Sequence, residues 1–287
     1  MVAALLRWWE TARASRDTLP WRSTRDPWAI LVAETMLAQT QTGRAAERFP
    51  ALIARFPTAR SCAESPPGDL VRLWSGLGYN RRALTLHRCA CAIVERHDGR
   101  VPEGLAELLA LPGVGPYTAR AVRATAFDLP AAVVDTNVGR VLARAVAGCR
   151  LRPAEAQRAA DHLLPAGLTR EWNLALMDFG SLVCRARDPR CEGCPLAGAC
   201  VWRAGDATAD PAAGSAGVST RQARFDGSDR QGRGRLVRAA CLAPVRADDV
   251  ATVAGWPDDA ARARRIADDL VAEGLLVRSA TGVLALP

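Results

Sequence analysis

The sequence contains no lysine, because all 38 of its basic residues are arginine. Without lysine, no side-chain amine can form a Schiff base with a carbonyl substrate, and only the α-amino group of Met1 keeps that chemistry. The chain also has no apolar run of the roughly 18 residues that a membrane-spanning helix needs. Residues 1–10 lack the cationic flank and long apolar stretch of a signal peptide. We therefore expect a cytoplasmic protein that does not contact a membrane.

Strand-type alternation is hardly visible between Leu5 and about Arg203. Apolar residues there recur at spacings of three and four, with short breaks such as the one at residues 65–68, which is typical of successive helices. An apolar content of 49% in 287 residues is enough for one large or two smaller cores. The net charge of +8 favours a polyanionic partner such as nucleic acid, although many basic proteins bind none.

The composition changes near the end of this helical region. Residues 205–225 are rich in Ala, Gly, Ser, Thr and Asp, which predicts a linker, and a small module follows over 226–287. Within it, Asp258–Leu276 has helical periodicity, and two short apolar runs at 276–278 and 283–285 resemble a hairpin. This pattern predicts a winged-helix-like module, either a stabilising appendage or a DNA-binding one.

Four of the nine cysteines lie within 17 residues, with six, two and five residues between them: Cys184, Cys191, Cys194 and Cys200. Closely spaced thiolates suit either a [4Fe–4S] cluster or a tetrahedral zinc ion, and the spacing alone does not choose between them. Four buried thiols without metal are a third interpretation. The other five cysteines are scattered and are interpreted as small core residues: Cys62, Cys89, Cys91, Cys149 and Cys241.

A glycine hairpin stands between two predicted helices, in the sequence Leu111-Pro112-Gly113-Val114-Gly115, and Pro116 begins the second helix. Glycines allow close approach of the backbone, and amides at a helix N-terminus can donate to a phosphate. Such a hairpin would hold DNA without reading its sequence. A simple turn between helices is the alternative.

Two carboxylates are candidate catalytic groups. Glu34 lies in a stretch that is apolar on every side of a helix, where burial would favour its protonated form and make it a general acid. Asp135 ends the apolar run at 131–134 and precedes a helical segment. The alternatives are a solvent-exposed or arginine-paired Glu34 and an Asp135 that only caps a helix. Together, the pair would suit cleavage of a glycosidic bond through an oxocarbenium-like state.

These motifs in this order resemble the iron–sulfur helix-hairpin-helix glycosylases, the superfamily of endonuclease III, MutY-type adenine glycosylases and thymine-mismatch glycosylases. The resemblance covers about residues 5–204, and the cysteine spacing together with LPGVG and VVDTNVGRVL carries it. It implies an all-α fold, with a six-helix barrel at 22–131 packed on a cluster domain of 1–21 and 132–204. It also implies a [4Fe–4S] cluster rather than zinc, and an active cleft between the two domains.

The resemblance assigns roles to individual residues. Asp135 matches the catalytic aspartate of the superfamily, Glu34 matches the acid of the MutY type, and Asn137 would hold the sugar or water. Tyr117 stands where endonuclease III has its Schiff-base lysine, which implies a monofunctional glycosylase. Gln39 and Tyr79 resemble the wedge residues that fill the stack after base flipping.

The resemblance implies that the protein acts as a monomer, associated with the nucleoid, on double-stranded DNA with a mismatched or damaged pair. Adenine opposite 8-oxoguanine or guanine is the predicted target. A thymine or uracil mismatch glycosylase and a non-catalytic DNA-binding iron–sulfur protein are the alternatives.

The chain departs from the MutY pattern at three places. Ala38 replaces a second glutamine, Asn80 replaces a second tyrosine, and no Nudix-like C-terminal domain is recognisable. The segment at 225–231 instead resembles the tail of shorter, actinobacterial-type relatives. How the opposite base is recognised is therefore left open by the sequence.

Overall fold

A computed structural model describes residues 1–205, 209–215 and 224–287. The fold is predominantly helical, as predicted. The helices are α1 (Val2–Ala12), α2 (Pro27–Leu37), α3 (Thr42–Arg55), α4 (Ala59–Ala63), α5 (Pro67–Trp74), α6 (Arg81–His97), α7 (Leu105–Leu109), α8 (Pro116–Ala126), α9 (Thr136–Val141), α10 (Pro153–Leu163), α11 (Thr169–Leu182), α12 (Val201–Ala204), α13 (Asp229–Leu242), α14 (Val250–Ala254) and α15 (Ala260–Ala272).

Local chemistry explains where many of these helices begin. Proline occupies the first turn of α5, α8 and α10, where its missing amide costs nothing. Asp26, Asp135 and Asp259 instead accept hydrogen bonds from amides in the first turns of α2, α9 and α15. The last turn of α9 passes directly into a π-helical segment, Leu142–Ala147.

The chain forms two compact units, and the first comprises Met1–Ile30, Glu103–Leu109 and Val114–Arg221. Its core contains Leu5 and Trp9 of α1, Val138 of α9, and Trp172 and Phe179 of α11. The indole of Trp9 donates to Asp178 on α11 (3.0 Å). α7 and α8, which we predicted within the barrel, belong to this unit.

The second unit comprises Leu31–Pro102, Ala110–Gly113 and Gln222–Pro287. It therefore joins α3–α6 to the C-terminal module. Several hydrogen bonds link the parts: the Gly68 amide donates to the carbonyl of Pro287 (3.0 Å), the Arg72 Nε donates to that of Cys241 (3.3 Å), and the Cys241 thiol donates to that of Val71 (4.0 Å). The module contains α13–α15 and an antiparallel hairpin of β1 (Val277–Arg278) and β2 (Leu284–Ala285). This is the helix and hairpin expected of a winged-helix-like module.

The predicted linker at 205–225 lies partly outside the described residues, which omit 206–208 and 216–223. The described residues 209–215 belong to the first unit and hydrogen-bond to other parts of it. Arg144 donates to both oxygens of Asp210 (2.9 and 2.5 Å), and the Leu151 amide donates to the buried hydroxyl of Ser215 (3.2 Å). Across the described chain, none of the helices is long and apolar enough to cross a membrane.

Candidate functional site

Asp135 lies at the N-terminus of α9, half-buried in the first unit. Its Oδ1 accepts a hydrogen bond from the Val138 amide (2.7 Å), so it is the N-cap of the helix, and its Oδ2 accepts one from the Asn137 Nδ2 (2.8 Å). The structure confirms the capping interpretation, and the catalytic role of Asp135 stays a prediction. The cap fixes one oxygen, and the Asn137 amide orients the other.

Arg140 holds Asn137 in place, a contact that sequence reasoning missed. Its Nη2 donates to the Asn137 Oδ1 (2.8 Å) and to the Gly180 carbonyl (2.6 Å), while its Nε donates to the Cys184 carbonyl (2.6 Å). Burial lowers the pKa of this guanidinium. The spacing of three between Asn137 and Arg140 was a usable signal, because it places both side chains on one face of α9.

Gly180 lets α11 approach α9 closely at this point. A Cβ on Gly180 would lie 2.7 Å from the Cβ of Asn137 and 2.8 Å from its carbonyl oxygen, a distance that side chains essentially never show. A larger residue would push the Asn137 backbone away from α11. The absence of a side chain at Gly180 therefore allows Asn137 to keep its position against α11.

Tyr117 belongs to the same unit and lies in the first turn of α8, with 37% of its surface exposed. Gly115 is the N-cap of this helix. A Cβ built on Gly115 would meet no other atom within 4 Å, so the space beside it is open. Leu111 and Val114 are buried, so their side chains anchor the hairpin rather than face a ligand. Gly113 adopts a left-handed conformation (φ +77°), and a Cβ there would meet Thr85 at 2.2 Å. Glycine is therefore required by both conformation and space.

Glu34 lies on α2 in the second unit. The preceding residues, Ile30–Ala33, are buried, as is Met36, whereas Glu34 itself is half-buried. Glu34 is thus less buried than the stretch around it, and its role as a proton donor stays a prediction. Because Glu34 and Asp135 belong to different units, each is described here by its own surroundings.

Gln39 and Tyr79 occupy two turns of the second unit and share an unusual backbone conformation. Their φ angles are +59° and +49°, although neither residue is glycine. Both side chains are exposed, Tyr79 by 42%. Left-handed conformations at non-glycine residues are uncommon and concentrate at functional sites.

The four clustered cysteines line a single cavity in the first unit, together with Phe179, Leu196, Trp202, Arg144 and Arg190. Cys184 lies two residues after the end of α11, Cys200 is the N-cap of α12, and the other two lie on the intervening loop. Among the described residues, no group of three or more His, Cys, Asp or Glu side chains is arranged to hold a metal ion. The convergence of all four thiols on one cavity nevertheless fits a ligand set for a polynuclear cluster.

Arg144 supplies positive charge at this cavity. It is 2% exposed, and its Nη1 lies 3.6 Å from the Cys184 Sγ and donates to the Arg185 carbonyl (2.7 Å). Burial raises the pKa of the Cys184 thiol, and Arg144 opposes that rise; burial also raises the pKa of Cys194. Binding of a metal cluster would require loss of these thiol protons, and the buried guanidinium favours the resulting thiolates.

Comparisons with known proteins place the chain in a family. Residues 32–165 match the HhH-GPD superfamily base excision DNA repair proteins. The adenine DNA glycosylase of Mycobacterium tuberculosis (strain ATCC 25618 / H37Rv) is 43% identical over 295 residues, which cover 99% of this chain and 92% of the relative.

Two solved structures resemble the fold. A thermostable thymine-DNA glycosylase has a TM-score of 0.65 and 32% identity, covering 71% of this chain and 94% of that one. A trapped endonuclease III–DNA covalent intermediate has a TM-score of 0.57 and 27% identity, covering 68% and 92%.

The chain therefore belongs to the HhH-GPD superfamily of base excision DNA repair proteins, which confirms the predicted family. It is an enzyme of the DNA glycosylase class.

Proposed function

We propose that the protein is a monofunctional adenine DNA glycosylase that removes adenine mispaired with 8-oxoguanine or guanine. The observation that carries this proposal is the fixed carboxylate of Asp135, held by a backbone amide and by Asn137. Hydrolysis of an N-glycosidic bond develops positive charge on the sugar, and a preorganised carboxylate stabilises that charge without reorganising. Full-length similarity to an adenine DNA glycosylase supports the choice of base.

Each predicted residue then has a chemical task. Glu34 protonates the departing base, so that it leaves as a neutral molecule rather than as an anion. Asp135 stabilises the sugar cation, and Asn137 positions the sugar or the water that attacks it. Tyr117 occupies the lysine position of bifunctional relatives, and its phenol cannot form an imine. Water is therefore the final nucleophile, and an intact strand with an abasic site is the product.

The groups proposed to bind DNA do not recognise its base sequence. The hairpin Leu111–Gly115 and the N-terminus of α8 would hold a phosphate through backbone amides, while Gln39 and Tyr79 would fill the stack beside the flipped base. We propose a monomer that acts on double-stranded DNA at the nucleoid.

We further propose that Cys184, Cys191, Cys194 and Cys200 hold a [4Fe–4S] cluster. Such a cluster would supply a structural crosslink, since its ligands come from the end of α11, the following loop and the start of α12. The residues present suit it: four thiols share one cavity, and Arg144 brings positive charge to balance the thiolates.

A thymine or uracil mismatch glycosylase is the second candidate, and the similarity to the thymine-DNA glycosylase structure favours it. Asp135 and Tyr117 fit that branch equally well. Glu34 favours adenine, because a departing purine gains more from a proton donor placed at the base. The choice of base therefore depends on Glu34.

A duplex panel tests the proposal directly. Purified protein is incubated with duplexes that carry adenine opposite 8-oxoguanine, adenine opposite guanine, thymine opposite guanine, or uracil opposite guanine, and alkali then reveals abasic sites. We expect excision of adenine only. Glu34→Gln should lower the single-turnover rate by about 10²-fold or more while DNA binding survives, because glutamine keeps the shape but has no acidic proton.

Glu47→Gln is the matched control, because Glu47 is exposed on α3 of the same unit and should leave the rate unchanged. Excision of thymine or uracil with normal activity of Glu34→Gln would establish the second candidate. Binding without excision of any base would show a non-catalytic DNA-binding protein.

A further inference from the structure

Arg82, at the start of α6, makes an unusual set of contacts within the second unit. Its guanidinium donates to the backbone carbonyls of Thr35 (2.9 Å) and Met36 (3.1 Å), and also to that of Ala38. It further donates to the Thr40 hydroxyl (2.8 Å) and the Gly78 carbonyl (3.1 Å). One side chain thus connects the end of α2 with the turn that precedes α6.

The carbonyls at the end of α2 explain the first part of this set. The last carbonyls of a helix have no partners within it, and an arginine side chain can satisfy them. Thr35 and Met36 lie in this last turn, directly after Glu34 on the chain. Arg82 therefore fixes the end of the helix that carries the proposed acid.

The same guanidinium contacts both left-handed turns. Gln39 stands between two of its acceptors, Ala38 and Thr40, and Tyr79 follows a third, Gly78. The guanidinium carbon also lies 5.4 Å from the centre of the Tyr79 ring and 5.3 Å from that of Trp74. The Thr40 hydroxyl joins the turns a second time by donating to the Leu77 carbonyl (3.3 Å).

Two features of this arrangement oppose the stability of the fold: a partly desolvated guanidinium and strained backbone. Burial lowers the pKa of Arg82 to about 10, and none of the ion pairs found among the described residues includes it. Two non-glycine residues in left-handed conformations, Gln39 and Tyr79, add backbone strain. Strain and a desolvated charge persist together where the surrounding structure holds a functional conformation.

We propose that Arg82 is a positioning residue that holds Gln39 and Tyr79 together as one paired wedge for base flipping. The inference rests on the proposed function, in which these two exposed side chains replace the flipped base in the stack. A guanidinium that is shared between both turns sets the separation of their backbones, from which the two side chains project. Arg82 itself does not touch the reacting atoms.

The test compares Arg82→Gln with Arg81→Gln, since Arg81 is the exposed neighbour on the same helix. The duplex carries adenine opposite 8-oxoguanine and a 2-aminopurine beside the adenine, whose fluorescence rises on unstacking. We expect Arg82→Gln to bind this duplex normally but to lose most of the fluorescence rise. Its single-turnover excision should fall by about 10²-fold, the size of a small misplacement. Arg81→Gln should behave as wild type, and Arg82→Lys should recover part of both signals.

Two outcomes would overturn the proposal. A folded Arg82→Gln protein with a wild-type fluorescence rise and rate would show that the wedge does not need Arg82. Loss of DNA affinity with normal flipping would show that the residue acts only as a charge.

If Arg82→Gln fails to fold, Thr40→Val decides, because it removes the second link between the turns and keeps the side-chain shape. A reduced fluorescence rise in that variant supports the paired wedge, and a wild-type rise contradicts it. If wild-type protein excises no adenine from any duplex, the proposed function fails, whereas the fluorescence comparison still decides the role of Arg82.

Discussion

At the scale of single residues, arginine side chains orient neighbouring segments of the backbone in this protein. Arg140 and Arg82 each direct several donors at backbone carbonyls rather than at carboxylates. A planar guanidinium with five donors suits this task, because it can hold two or three segments in fixed geometry at once. In this chain, which has no lysine, arginine side chains make the contacts that position other groups.

Arg140→Gln tests such positioning on the side of Asp135. Glutamine is too short to reach both the Asn137 amide oxygen and the Cys184 carbonyl, so Asn137 should lose its anchor. We expect single-turnover excision to fall by about ten- to a hundredfold. Arg187→Gln, an exposed arginine of the same unit, is the control. A variant with normal iron content and an unchanged excision rate would remove Arg140 from the site.

At the scale of elements, the cavity lined by the four cysteines brings together pieces that are separated along the chain. α11 provides the approach to Cys184, the π-helical segment provides Arg144, and the segment at 209–215 provides Asp210. Arg144 raises the acidity of Asp210, whose pKa is lowered mainly by their hydrogen bond. Asp210, which follows the last of the four cysteines along the chain, therefore orients the guanidinium that contacts the Cys184 sulfur.

Asp210→Asn should loosen the cluster site. Asparagine keeps the shape but removes the charge that orients Arg144, so the contact with the Cys184 Sγ should weaken. Wild-type protein should be brown and contain iron. We expect the variant to lose its iron about tenfold faster in the presence of a chelator, the scale of effects from residues behind metal ligands. Asp188→Asn removes a charge from the exposed cluster loop and should lose iron at the wild-type rate. Equal rates in all three proteins would contradict this role, and a colourless wild-type protein with zinc would contradict the cluster itself.

The elements also show how far the sequence could be read. The helical fold and the C-terminal hairpin follow from periodicity and turn residues, and both are observed. The predicted helix at 258–276 is shorter in the structure, Ala260–Ala272, because Asp259 caps its start and Glu273 and Gly274 end it. The contacts of residues 209–215 were missed, since a polar, glycine-rich composition is the same in a free linker and in a segment that packs on a domain.

At the scale of the whole molecule, the absence of lysine has a direct consequence for the product. Enzymes that cut the strand after base removal need an amine that attacks the sugar and forms an imine. The only amine in this chain is the N-terminal one, and the exposed Tyr117 cannot replace it. We therefore expect abasic strands that break only on alkali or heat, and very little covalent adduct with borohydride.

Placing a lysine at this position gives the matched gain-of-function test: Tyr117→Lys should trap more adduct than wild type. Rapid strand cleavage and a strong borohydride adduct with wild-type protein would overturn the monofunctional assignment. The α-amino group would then be the nucleophile, and its acetylation should abolish the adduct.

The sequence by itself determined the helical class, the family, the cysteine set and the absence of lysine, because each depends on residue identity or on spacing over a few turns. Only the tertiary structure showed that Asp135 caps a helix while accepting from Asn137, that Arg140 and Arg82 donate to several backbone carbonyls, and that Asp210 pairs with Arg144. Their partners are mostly backbone carbonyls, glycines and distant side chains. A carbonyl is present at every residue and carries no signature in the sequence, so its use as an acceptor is decided only when the elements pack.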